Sequence, residues 1–137
     1  MSTPVEREAL FVRLTVAFGR KDNAEIIKAM RPDVEIEVPG NSSLAGHHHG
    51  YDAVGRFLAG LQRVFVPAEL PMEFSHEGKE MVLSQILRAG STEWTHRYRI
   101  TFDESGRIER IVFEPDDIKT FDVLVERAFA ATERSDD

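Results

Sequence analysis

Ten residues in the second half of the chain constrain the fold most. From Glu93 to Phe102, Trp94, His96, Tyr98, Ile100 and Phe102 fall on one side of a two-residue repeat, and Glu93, Thr95, Arg97, Arg99 and Thr101 fall on the other. That period belongs to a strand with one face buried and one face wet. An apolar strand face has to be covered by a second layer, so an all-helical or unfolded chain is excluded. The neighbouring text supplies partners. Met81 to Leu87 is a more continuously apolar strand, joined to the first by a turn at Gly90-Ser91. Met72, Phe74 and His76 share a face of an earlier strand that turns at Gly78-Lys79. Asp103-Glu104-Ser105-Gly106 is a hairpin turn with glycine where a positive φ is needed. The last strand sets Ile111 and Phe113 on one face and Arg110 and Glu114 on the other. Strands joined this closely predict an antiparallel sheet.

Helices flank this block. Thr3-Pro4-Val5-Glu6 carries a capping box with Pro at the first helical position, and Leu10, Phe11, Leu14, Ala17 and Phe18 follow at helical spacing. Asp22 with Glu25 opens a short second helix through Ala24, Ile27 and Met30, which Pro32-Asp33 is expected to end. Val34 to Val38 alternates as a strand, and Pro39 to Gly50 reads as a long polar loop holding His47, His48 and His49. A third helix carries Ala53, Phe57, Leu61 and Val64 on its apolar side, after which Pro67 and Pro71 mark a return to extended chain. Pro115-Asp116-Asp117 starts a final helix with Ile118, Phe121, Leu124, Val125 and Ala128, and the end from Glu133 to Asp137 is expected to fray. The order helix, helix, strand, helix, four strands, helix predicts an α+β fold. A cone-shaped, curved antiparallel sheet would carry the helices on its concave side, around an apolar interior suited to a small molecule.

Composition narrows the function classes. With 137 residues the chain has room for a single domain, 1–137, with a core over about 4–131. It has no Cys, which excludes disulfides, thiolate metal sites and a Cys nucleophile. The net charge of −7, with scattered basic residues, argues against nucleic acid as a partner. No apolar run approaches the roughly 18 residues of a membrane span. The first residues are charged and lack a signal-peptide core, so a cytoplasmic location is expected.

The stretch VEIEVPGNSSLAGHHHGYDAVGRFL, Val34 to Leu58, resembles the SnoaL-like family of the nuclear transport factor 2-like superfamily. Members often show a strand, then Pro-Gly, a Ser-Pro-Leu-Ala-Gly-type loop, and Gly-x-(Asp/Glu)-Ala-Val opening a helix. FDESGRIERIVFEPDDIKTFD, Phe102 to Asp122, resembles the family's turn, Ile-rich strand and Pro-(Asp/Glu)-Asp helix start. The resemblance spans nearly the whole chain in element order. It implies a cone-shaped α+β barrel and a homodimer joined over the outer sheet face. It does not fix the activity, since relatives include polyketide cyclases, ketosteroid isomerases, epoxide hydrolases, dehydratases and non-catalytic binders.

Each of those chemistries can be tested on the residues. Ketosteroid isomerases use an Asp base, with a Tyr and a protonated Asp as oxyanion donors. Aligning Pro39 and Gly106 with that pattern puts Leu14 at the Tyr, Val38 at the base and Tyr98 at the protonated Asp, so two roles are lost. The Asp-Arg-Asp arrangement of the epoxide hydrolases is missing from the inward positions. The cyclase pattern, an inward Asp helped by a His, leaves His96 as base or shuttle and Tyr98 as hydrogen-bond donor, with no inward carboxylate on the last strand. Trp94, Phe18, Phe57, Ile111 and Phe113 would line the pocket, and His48 on the rim would touch the ligand.

The remaining polar groups read otherwise. Three consecutive His cannot all face one way, so no metal site is assigned, and a metal-assisted enzyme on the His47–His49 loop is the weaker alternative. His76 is a possible rim residue. Glu35 and Glu37 fall on the face opposite Ile36 and Val38, and Arg97 and Arg99 with Glu93 suit a polar dimer surface. Asp116 and Asp117 read as helix caps. The expected function is binding of a small, mostly apolar or carbonyl-containing molecule without a cofactor. Acid/base chemistry on the carbonyl is the enzymatic form, and a non-catalytic binding or dimerisation module is the alternative.

Overall fold

The capping box at Thr3 forms as the sequence predicts. Its hydroxyl accepts from the Glu6 amide at 3.2 Å, and the Glu6 carboxylate accepts from the Thr3 amide at 3.1 Å. In the computed structural model, which describes residues 2–67 and 72–135, this starts helix α1, Pro4–Gly19. Asp22 caps α2, Asn23–Lys28, through the Glu25 amide. The remaining elements are β1 Met30–Val38, β2 Gly46–His49, α3 Gly50–Gln62, β3 Val66–Pro67, β4 Glu73–Glu77, β5 Glu80–Ala89, β6 Thr92–Phe102, β7 Ile108–Pro115 and α4 Ile118–Ser135. None of the helices among the described residues is long and apolar enough to cross a membrane.

The strands form one curved, unclosed sheet in the order β2-β1-β7-β6-β5-β3, with β4 also pairing β5. The α+β class therefore stands, with four corrections. The sheet is mixed, because β1 and β7 pair in parallel through Glu35↔Arg110, Ile36↔Ile111 and Glu37↔Val112. Pro32-Asp33 does not separate helix from strand, because β1 already begins at Met30. Pro32 is tolerated where the register with β7 shifts between Met30 and Glu35, so its missing N–H breaks no ladder bond. The segment read as a loop through His49 contains β2, whose His47, His48 and His49 lie opposite Glu37, Ile36 and Glu35. The two-residue strand β3 also adds to the strand count, and Pro71 lies outside the described residues.

The inner face of the sheet forms the core as the alternation predicts. Ile100, Phe102, Met81 and Ile108 are wholly buried, and Leu83, Phe113 and Ile36 nearly so. The outer face is laced with ion pairs. Arg99 reaches Glu114 at 2.9 Å and Glu80 at 3.3 Å, and Arg110 reaches Glu37 at 2.5 Å. Asp117 caps α4 through the Lys119 amide at 3.0 Å, whereas Asp116 pairs with Arg97 at 3.2 Å. Arg7 is buried on α1, yet its guanidinium donates to Ser2 Oγ at 2.9 Å and to the Gly78 carbonyl at 3.0 Å, and it lies 4.7 Å from the Phe102 ring centroid. Those partners offset the cost of burying the charge and tie α1 to the β4–β5 turn.

A polar clamp fastens the chain after β1 to α4. Asp122 accepts from the Asn41 amide at 2.9 Å, and Glu126 accepts from the Ser43 amide and hydroxyl at 2.5 and 2.8 Å. Gly40 makes the approach possible. Its φ is +96°, and a Cβ there would overlap the Asp122 carboxylate. Gly40→Ala should therefore cost about 1–3 kcal/mol, from a left-handed backbone and a displaced carboxylate together. Chemical denaturation measures it, and an unchanged midpoint would show that the clamp gives way freely.

Candidate functional site

A half-open cavity of about 90 Å³ lies between the helices and the inner face of the sheet. Helix α1 contributes Phe11, Leu14, Thr15 and Phe18, and α3 contributes Phe57, Leu58 and Leu61. The sheet contributes Ile36, Leu83, Gln85, Leu87, Tyr98, Ile111 and Phe113 among others. No lining residue is charged. An ion inside such a wall would lose its hydration without gaining a partner, so the cavity suits a neutral molecule. Its size is below the roughly 300–1,000 Å³ of drug-sized sites, which points to a ligand of about one ring.

Five of the residues singled out from the sequence meet on this wall: Phe18, Phe57, Ile111, Phe113 and Tyr98. Phe57 and Phe113 meet edge-on with centroids 5.3 Å apart, and Phe113 and Tyr98 do so at 4.9 Å. Three others stand behind the wall. His48 packs against Phe57 with centroids 4.5 Å apart and planes tilted by 35°, and its Nε2 bonds the Leu44 carbonyl at 2.8 Å. It supports the ring that faces the cavity. Trp94 is buried and donates its indole N–H to His96 Nδ1 at 3.1 Å. His96 is fully buried and packs among Phe65, Tyr98, Phe113 and Phe121.

The Trp94 contact fixes the His96 tautomer. An indole nitrogen can only donate, so Nδ1 is the acceptor and the ring proton of the neutral imidazole is on Nε2. Among the described residues that Nε2 has no hydrogen-bond partner. Burial lowers the His96 pKa from 6.5 to about 3, so the ring is neutral across the physiological range. Burial pushes the Tyr98 hydroxyl up, so it keeps its proton and can donate. The Tyr98 hydroxyl has no hydrogen-bond partner among the described residues and, unlike His96 Nε2, is not sealed from the cavity.

Other candidates are placed elsewhere. His47 pairs with Glu37 on the outer face at 3.1 Å, and His49 is exposed. Among the described residues no three His, Asp or Glu side chains converge as metal ligands would. His76 is tied to Glu8 of α1 at 2.6 Å, away from the cavity wall. Two polar wall residues were missed in the sequence. The Thr15 hydroxyl donates to the Phe11 carbonyl at 2.9 Å. Gln85 sits on β5 directly opposite His96, and it interrupts an otherwise apolar inward series of Met81, Leu83 and Leu87. That interruption was the available signal.

No family model matches the chain, and no curated protein matches it. Solved structures do. An NTF2-like protein from Burkholderia xenovorans is 24% identical, with a TM-score of 0.71 over 93% of this chain and 98% of that one. TerC, co-crystallised with polyporic acid, is 23% identical, with a TM-score of 0.72 over 88% of this chain and 98% of its own. A Sinorhizobium meliloti protein, whose polyketide cyclase role is itself a proposal, is 19% identical, with a TM-score of 0.64 over 77% of this chain and 94% of its own. The fold is thus NTF2-like, or cystatin-like, in agreement with the superfamily resemblance read from the sequence.

Proposed function

We propose that the protein binds a small, neutral, mostly apolar molecule in the cone, through a carbonyl that accepts a hydrogen bond from Tyr98. One observation carries this reading: a protonated, unpartnered Tyr98 hydroxyl on a wall that is otherwise almost wholly apolar and uncharged. Apolar contact supplies the affinity, and the single O–H fixes the orientation. TerC and the S. meliloti protein support the choice of ligand class, because each shares the fold and is associated by name with a small organic molecule or its chemistry.

A titration with acetophenone, followed by amide and side-chain NMR shifts, tests the reading. Binding should perturb the residues around Tyr98, Phe57 and Phe113. Tyr98→Phe should weaken it about threefold to tenfold, the worth of one neutral hydrogen bond. Equal affinity in both proteins would remove Tyr98 from the site.

A second reading has the carbonyl compound turned over, by an isomerase-, cyclase- or dehydratase-like step. Tyr98 would polarise the carbonyl, and His96, with its ring centroid 4.7 Å from that of Tyr98, would stand behind it. The His96 lone pair is occupied by Trp94 and its basicity is low, so it serves better as an N–H donor than as a base. Binding with polarisation is therefore the reading favoured here.

A further inference from the structure

We infer that Gln85 is a specificity-determining residue that selects ligands carrying a second polar group, a hydroxyl, on the same ring as the carbonyl. The inference rests on the binding reading above and names its ligand class more narrowly. Gln85 lies opposite His96 in the β5–β6 ladder, and Tyr98 lies opposite Leu83. Directly paired residues project to the same side of a sheet. Gln85 therefore shares the inner face with the buried His96, and both Gln85 and Tyr98 reach the cavity wall. Gln85 and Tyr98 are diagonal neighbours, with Cα atoms roughly 7–8 Å apart, so their polar ends can meet two groups of one small ring.

The chemistry of the two side chains differs. The Tyr98 hydroxyl on the cavity wall donates to a carbonyl. A primary amide carries a carbonyl acceptor and two N–H donors, so it can take a hydroxyl either as donor or as acceptor. Among the described residues the Gln85 amide has no hydrogen-bond partner, and because the side chain is half-buried on the cavity wall its polar atoms stay open to the cavity rather than sealed in the core. A ligand that fills the cavity strips that amide of water, and the amide then gains only if the ligand pairs with it. Leucine at this position would continue the series of Leu83 and Leu87, so packing alone does not require an amide. A hydroxyl-bearing ligand supplies the missing partner. A ligand with only the carbonyl leaves the amide desolvated, and that difference is the source of discrimination.

The test compares acetophenone with 3-hydroxyacetophenone on the full chain, by NMR titration of the wild type, Gln85→Leu and Gln85→Met. The wild type should prefer the hydroxylated ketone about fivefold to tenfold. Both variants should lose that preference, with the ratio of the two affinities falling to about one. The unbranched Met variant keeps the test intact if Leu disturbs the packing. Equal affinity of the wild type for the two ketones, or a preference that survives in the variants, overturns the role of Gln85 and leaves the binding reading standing. No binding of either ketone by the wild type overturns both.

Discussion

Replacing Phe121 by Ala should remove about 3–5 kcal/mol of stability, the usual cost of deleting a large aromatic side chain from a packed core. That is a large share of the roughly 5–15 kcal/mol available to a domain of this kind. Phe121 is fully buried on α4 and stacks on Phe65, with centroids 5.6 Å apart and planes 8° from parallel. It also lies 5.4 Å from the His96 ring. The aromatic rings around it are stiff and already in contact with one another, so the site cannot easily collapse to fill the space. The polar clamp of Asp122 and Glu126 still holds α4 in the variant, so the deficit should appear as a hole rather than as a released helix. The hole opens beside His96. Water entering it would rehydrate the imidazole and raise its pKa from about 3 toward the ordinary histidine range. Urea denaturation measures the first effect, and an NMR titration of the His96 ring protons measures the second. A loss below about 1 kcal/mol, with an unmoved His96, would show that Phe121 is not what seals this end of the cone.

The elements that were legible in the sequence are those whose signal is local. The Thr3 and Asp22 caps depend on residues three apart. The parity of Trp94, His96, Tyr98, Ile100 and Phe102 depends only on the geometry of an extended chain, so the inward face could be read without knowing what covers it. The parallel pairing of β1 with β7 was not legible, because it joins residues about 75 apart and leaves no mark on either strand's own pattern. Strand β2 was hidden for a different reason. It is a short edge strand with little apolar burial, so Gly46-His47-His48-His49 has the composition of a loop.

The wall of the site shows the same division. Phe18, Phe57, Tyr98, Ile111 and Phe113 were assigned from the face each occupies, and that face is what brings them together. Depth along a strand is another matter. His96 and Tyr98 share a face, yet Tyr98 borders the cavity and His96 does not. The difference is made by Phe65 and Phe121, which come from distant parts of the chain and close over the His96 end. Gln85 was passed over because Leu83, Ile86 and Leu87 around it read as a continuous apolar run, in which one amide is easy to discount.

Acid should weaken the protein through His96, and the sign follows from its environment. The ring packs among Phe65, Trp94, Tyr98, Phe113 and Phe121, with no charged side chain among them. Its pKa is about 3 in the folded state against an ordinary value of 6.5. The unfolded chain therefore binds a proton that the folded chain refuses, and stability falls as pH drops below 6.5. The slope approaches about 1.4 kcal/mol per pH unit, and the loss from this one group reaches roughly 4–5 kcal/mol by pH 3. Glu6, Glu37 and Asp103, by contrast, favour their charged forms when folded, and they begin to release stability only near their ordinary values of 4.5, 4.5 and 3.8. The interval from pH 6.5 to 5 thus isolates histidine, with an expected loss of about 2 kcal/mol from His96. His96→Phe removes the proton acceptor and strands the Trp94 indole N–H, which should lower stability at pH 7 by about 1–3 kcal/mol. Its dependence on pH should nevertheless be flatter than that of the wild type. The two denaturation curves, followed from pH 7 to pH 5, should converge. Parallel curves would mean that His96 is solvated or charge-compensated in the folded protein, and the sealed, neutral imidazole behind Tyr98 would have to be abandoned.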